Sequence, residues 1–192
     1  MPAADAPPLP PARIVAYHDS GRWARDTTDV IARARRFVDR RREQYRRPAV
    51  VLDVDDTALS TYRCMRRAGF VRRRARCGER RRLPAIGRTR ALYRHLRAAG
   101  VAVVFVTVRR ESARARTLAN LRRRGYAGRL RLRMRADGPR RLDNARYKAR
   151  ERRRIAARGD QILANVGDQA SDLAGGGALR AFKLPNPMYV TR

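Results

Sequence analysis

Three apolar stretches of strand length, Ala49 to Leu52, Val101 to Val106 and Ile162 to Val166, each run directly into polar residues. Near-continuous apolar runs of this length read as strands buried on both faces, the pattern of a parallel sheet covered by helices. Between them, apolar positions recur at helical spacing. Val30, Ile31, Ala34, Phe37 and Val38 share one face, extended by Tyr45, with Asp26 and Thr27 placed to cap the helix and Pro48 to end it. Leu92, Tyr93 and Leu96 mark a second helix from about Ile86 to Ala99, closed by Gly100. Leu118 and Leu121 mark a third between Glu111 and Gly125, and a fourth begins at Asp143 or Asn144 and runs to Gly159. Leu130 to Met134, where apolar residues alternate with arginines, reads as an exposed edge strand, and Leu179 to Leu184 as the last strand. Strands alternating with helices predict an open α/β fold with a mainly parallel sheet and helices on both faces. The 192 residues suffice for one such domain, expected over residues 16–192 behind a flexible Pro- and Ala-rich arm at residues 1–15.

The polar ends of the strands supply the candidate chemistry. The first runs into Asp53, Asp55 and Asp56, followed by Thr57. Carboxylates crowded at the end of a buried strand repel one another unless a cation sits among them, which points to Mg²⁺, a hard ion that leaves positions open for phosphate oxygens. The alternative is a turn in which Asp55 or Asp56 caps a following helix. The second strand delivers Thr107 and the third Asp168, with Asp172 four residues further on. In an open parallel sheet, ligands bind outside the carboxyl ends of the strands, where Asp53, Thr107 and Asp168 would meet. Lys148 falls in the fourth helix; its compact ammonium suits a place between a carboxylate and a phosphoryl oxygen.

Taken in order, AVVLDVDDTALS, FVTVRRESARARTLANLRRRGY, Tyr147-Lys148, NVGDQASDL and FKLPNPMY resemble the motifs of the haloacid dehalogenase (HAD) superfamily, and within it the acid phosphatase family (subfamily IIIB) of bacterial secreted and lipoprotein phosphatases and plant vegetative storage proteins. YHDSGRW, Tyr17 to Trp23, resembles the segment ahead of the first motif. The resemblance implies a three-layer Rossmann-like HAD fold with a reduced cap insertion at about residues 58–85. It implies a Mg²⁺-dependent acid phosphatase working through an aspartyl phosphate, with Asp53 as nucleophile, Asp55 as acid and base, and Thr107 and Lys148 on the phosphoryl oxygens. Asp53, the backbone carbonyl of Asp55 and Asp168 would hold the metal, Asp172 would support Lys148 or a metal-bound water, and Pro185-Asn186-Pro187 would close over the back of the domain. The substrate would be a small phosphomonoester, nucleoside monophosphates among the candidates. Two departures bear on pocket shape: Val108 stands where relatives have Gly, and Ala170 where an aromatic is common. A storage or binding relative with weak turnover is the alternative of the same fold.

Charge changes this picture little. Lys and Arg total 48 against 17 acidic residues, a net +31, and all but Lys148 and Lys183 are arginine. Such a field attracts phosphate-bearing anions and binds nucleic acid non-specifically at low salt, but the arginines are spread along the whole chain and no aromatics are interleaved to stack bases. In a chain so biased to arginine, Lys148 stands out. Cys64 and Cys77 are spaced so that they could close a disulfide loop if the protein is exported, with the pairing left open, and His18 and His95 lack the spacing of metal ligands. The N-terminus shows no apolar run of signal-peptide length, and no stretch reaches the roughly 18 apolar residues of a spanning helix, although the family it resembles is exported.

Overall fold

A computed structural model describes residues 5–71, 75, 77, 82–139 and 142–191. In chain order the elements are α1 (Pro11–Asp19), α2 (Arg22–Asp39), β1 (Pro48–Leu52), α3 (Tyr62–Arg67), α4 (Gly87–Ala98), β2 (Ala102–Arg110), α5 (Arg114–Arg123), β3 (Arg131–Arg135), α6 (Asn144–Ala156), β4 (Gln161–Gly167), α7 (Ala170–Leu173) and β5 (Arg180–Lys183). The five strands form one parallel sheet in the order β3-β2-β1-β4-β5, as the apolar runs predict. β1 is central: the chain builds outward from it on one side through β2 and β3, then crosses back to place β4 and β5 on the other. Leu52 lies opposite Phe105 of β2 and Val166 of β4, so the three central strands run out together at one end of the sheet.

Side-chain alternation assigns the two faces. Val50, Leu52, Val103 and Phe105 join a core shared with Val30, Ala34, Phe37, Leu92, Leu96 and Leu121, from α2, α4 and α5. Val51, Val104, Val106 and Ile162 point the other way, against Tyr147 and Ile155 of α6. Helices therefore cover both faces, and β3, with Arg131 and Arg133 half-buried, is an edge. Glycines end two helices in the same way. Gly100 (φ 73°) and Gly125 (φ 83°) adopt the left-handed conformation, so that Val101 N–H reaches Leu96 O and Tyr126 N–H reaches Leu121 O. At the start of α6, Asp143 accepts from Arg146 N–H at 2.7 Å.

Three expectations need correction. The segment at residues 1–15 is not a loose arm over its described part: α1 begins at Pro11, Ile14 is buried, Leu9 N–H bonds Pro187 O at 2.9 Å, and Asp5 accepts from Ala170 N–H at 2.9 Å. α2 is not capped by Asp26 or Thr27. It starts four residues earlier at Arg22 after Gly21, while Asp26 accepts from Tyr17 Oη at 2.5 Å and Thr27 is fully buried. Pro185-Asn186-Pro187 does not lie at the back of the domain but reaches the carboxyl ends of the strands, where Asn186 donates to Asp168 beyond β4. Of the expected cap at 58–85, α3 and a Cys64–Cys77 disulfide are seen; residues 72–74, 76 and 78–81 of that interval lie outside the described residues. Among the described residues no helix is long and apolar enough to cross a membrane.

Candidate active site

The carboxyl ends of β1, β2 and β4 bring the acidic residues together. Asp53 directly follows β1, its N–H held by Val166 O at 3.0 Å, which ties the first motif to the strand that delivers Asp168. Gly167 has to be glycine: a Cβ there would meet Asp172 Cβ at 2.5 Å and Asp172 Oδ2 at 2.7 Å, so the close turn of α7 back onto β4 depends on its missing side chain. That turn points Asp172 at Lys148, and its Oδ2 accepts the Gln169 N–H at 3.0 Å.

Asp53, Asp168 and Asp172 each offer a carboxylate oxygen within 4.8 Å of the others, and all three are buried. Lys148, 2% exposed, is set between two of them. Its Nζ donates to Asp53 Oδ1, bonds Val106 O at 2.6 Å and lies 3.0 Å from Asp172 Oδ1. Burial works against the ammonium, but Asp172 and Asp53 outweigh it and hold Lys148 charged. Burial also pushes Asp53 up, to about 7, against the pull of Lys148, and Asp172 and Asp55 add to the rise. Asp168 is raised well above the usual carboxylate range by burial and by Asp172 and Asp53. Three buried carboxylates around one ammonium leave negative charge uncompensated, and this donor set fits a hard divalent cation.

Asp168 is held from three sides. Its carboxylate accepts from Thr57 Oγ1 at 3.1 Å, from Gln169 Nε2 at 2.7 Å and from Asn186 Nδ2 at 2.7 Å. Asp56, at φ 55°, turns its buried carboxylate away from the cluster to Thr61 N–H at 2.7 Å and to the hydroxyls of Thr61 and Tyr189, each at 2.5 Å. The Asp55 carboxylate also stands outside the three-carboxylate group. It is gripped by Arg109, whose Nε and Nη2 donate to it at 2.9 and 2.7 Å. Thr107 is buried one residue beyond Val106, and its Oγ1 accepts Arg109 N–H at 3.2 Å. A cavity of about 280 Å³ opens over these groups; Asp53, Asp55, Arg109, Asp168, Asp172 and Tyr189 line it, with Val108 beside them and Met65 and Cys77 from the cap interval.

The structure thus brings Asp53, Lys148, Asp168 and Asp172 into contact, with Asp55 on the same cavity. Arg109, Tyr189 and Thr57 are contributors to which the sequence gives no role, and Asn186, expected at the back of the domain, joins them. Arg109 is hidden by the abundance of arginine, and Asn186 and Tyr189 by the fact that only the fold brings their segment over the strand ends, against Asp168 and Asp56.

Residues 3–192 match the family model for the HAD superfamily, subfamily IIIB (acid phosphatase). The chain belongs to that family. It is 36% identical over 107 residues to "Acid phosphatase 1" of Solanum lycopersicum, a match covering 55% of this chain and 42% of that protein. It is 28% identical over 146 residues to "Vegetative storage protein 1" of Arabidopsis thaliana, covering 72% and 54%. The chain spans about half the length of these curated relatives. In fold it resembles the class C acid phosphatase of Bacillus anthracis with tungstate bound, at a TM-score of 0.73 and 17% identity over 95% of this chain and 86% of that one. Both the phosphatase and the storage branches of the acid phosphatase family are therefore among its relatives.

Proposed function

We propose that the protein is a Mg²⁺-dependent phosphomonoesterase that works through an aspartyl phosphate on Asp53. The observation that carries this reading is the buried group of Asp53, Asp168 and Asp172 around Lys148, at the mouth of a cavity that Asp55 also lines. Asp53, Asp168 and the backbone carbonyl of Asp55 would hold the ion, which when bound supplies positive charge to the nucleophile and the phosphoryl oxygens. Lys148 engages Asp53 Oδ1, which leaves Oδ2 to attack phosphorus. Asp55 delivers a proton to the leaving oxygen, then takes one from the water that attacks the phosphoenzyme. Thr107 and Lys148 donate to the phosphoryl oxygens as charge builds there. Asp172 keeps Lys148 charged and aimed. The cap interval at 58–85, carrying Met65 and the disulfide, shapes the entrance for a small substrate such as a nucleoside monophosphate.

The test is turnover of a chromogenic phosphomonoester by the parent protein and by Asp53→Asn, with Mg²⁺ and with chelator. Turnover that needs both Asp53 and the ion supports the proposal; no metal-dependent turnover in the parent refutes it. A second reading, a storage relative with weak turnover, is favoured by Val108 on the cavity wall and by the vegetative storage protein among the relatives. It predicts slow turnover that Val108→Gly raises.

A further inference from the structure

Among the described residues lining the cavity, Arg109 is the one cation, and each of its three side-chain nitrogens is bonded by the protein itself. Its side chain is 5% exposed. Nε and Nη2 hold both oxygens of Asp55, and Nη1 donates to Thr117 Oγ1 at 3.1 Å, a hydroxyl of α5 that is itself fully buried. Its own N–H is anchored on Thr107 Oγ1. A planar guanidinium that grips a carboxylate by both oxygens fixes its plane as well as its distance. The position of Asp55 is therefore set from β2 and α5, whereas its own loop runs on through the left-handed Asp56.

We propose that Arg109 is the positioning residue for Asp55, an inference that rests on the phosphomonoesterase reading above. In the first transfer an Asp53 oxygen bonds to phosphorus as the bond to the leaving oxygen breaks. The pair of that bond stays on the leaving oxygen, which takes the proton carried by one Asp55 oxygen. The other Asp55 oxygen stays on the guanidinium and keeps the carboxyl aimed. In the second transfer a water oxygen bonds to phosphorus, the Asp53 to phosphorus bond breaks with its pair returning to Asp53, and the same Asp55 oxygen recovers a proton from the water. Thr117 holds the far end of the guanidinium through both steps.

Proton delivery matters most when the leaving group is poor, so the test is a series of monophosphates running from nitrophenyl to simple alkyl leaving groups. kcat/KM is measured for the parent, Arg109→Gln, Arg109→Lys and Thr117→Val, each checked by thermal melting. Arg109→Gln is expected to lose about 100-fold or more on alkyl phosphates and less than about 10-fold on nitrophenyl phosphate, the range of a general acid that has lost its aim. Arg109→Lys, which can hold one oxygen, recovers part of the loss on poor leaving groups; Thr117→Val shows the same trend more weakly and decides the matter if the glutamine variant does not fold. An equal loss across the series, or a rise in KM with unchanged dependence on the leaving group, overturns the proposal and makes Arg109 structural or phosphate-binding instead. A parent with no turnover on any member would remove the phosphomonoesterase reading itself, an outcome distinct from a defect confined to the variants.

Discussion

Lys148 sits where a single charge decides both stability and chemistry. Its ammonium is the buried cation shared by Asp53 and Asp172, so Lys148→Met leaves two carboxylates facing each other without compensation. In metal-free protein this should cost about 3–5 kcal/mol, measured by urea unfolding, because one partner of a buried ion pair has been removed. Added Mg²⁺ should narrow the deficit by replacing part of the lost charge, while turnover stays abolished; a deficit that Mg²⁺ leaves unchanged would argue against a metal among these carboxylates. Tyr189→Phe removes one of the hydroxyls on the buried Asp56 carboxylate and should cost about 1–2 kcal/mol by the same measurement. Asp53, Lys148 and Asp168 were legible in the sequence because each is chemically out of place: a carboxylate at the end of an apolar run, or a lysine in a chain of arginines. Arg109 and Tyr189 carry no such contrast. An arginine among so many gives no signal, and a tail tyrosine is recognised only once β5 is seen next to β4, carrying the C-terminal segment over the strand ends.

At the level of elements, the least legible is α1. Its apolar residues run consecutively from Ile14 to Tyr17 without helical spacing, and what holds it is tertiary: Ile14 in the core and His18 stacked on Tyr62 of α3 and Trp23 of α2, at 3.8 and 4.7 Å between ring centroids. The strands needed no such help, since Val50 to Leu52 and Val103 to Val106 are buried on both faces and so are apolar throughout. The end of α4 and the start of α6 are legible to within about a residue, because Gly100 and Asp143 carry local signals there; the start of α2 is not, because it depends on Gly21 rather than on a polar cap. The stack has a pH consequence. Burial pulls His18 down to about 4, with Asp19 pulling the other way. A histidine whose folded pKa lies below its unfolded value contributes stability above about pH 6.5, and that contribution is lost as the pH falls toward 4. His18→Phe keeps the stack without the titration, so its unfolding midpoint should fall less than the parent's between pH 7 and pH 4.5 in denaturant titrations. Equal falls would show that the folded pKa of His18 lies close to its unfolded value.

For the molecule as a whole, the governing quantity is a net charge of +31. Arginines stand on α2, α4, α5 and α6, on both faces of the sheet, so the field surrounds the protein instead of marking one groove. A field of this kind draws in any polyanion through counterion release, with a strength that falls steeply as salt rises and with no preference for sequence. Two unrelated DNA duplexes, followed by fluorescence anisotropy, should therefore bind equally at low salt and both be released when the salt is raised to about 0.2 M, where charges more than about 7–10 Å apart are screened. Under the same titration the KM for a phosphomonoester should rise, since the field that gathers DNA also gathers substrate, while kcat stays nearly constant because Asp53 and Lys148 meet in a buried site that salt screens little. Binding that outlasts 0.2 M salt and separates the two duplexes would point instead to a surface built for nucleic acid, and a kcat that fell along with affinity would place the reacting carboxylates in contact with bulk solvent, contrary to the burial of Asp53 and Asp168.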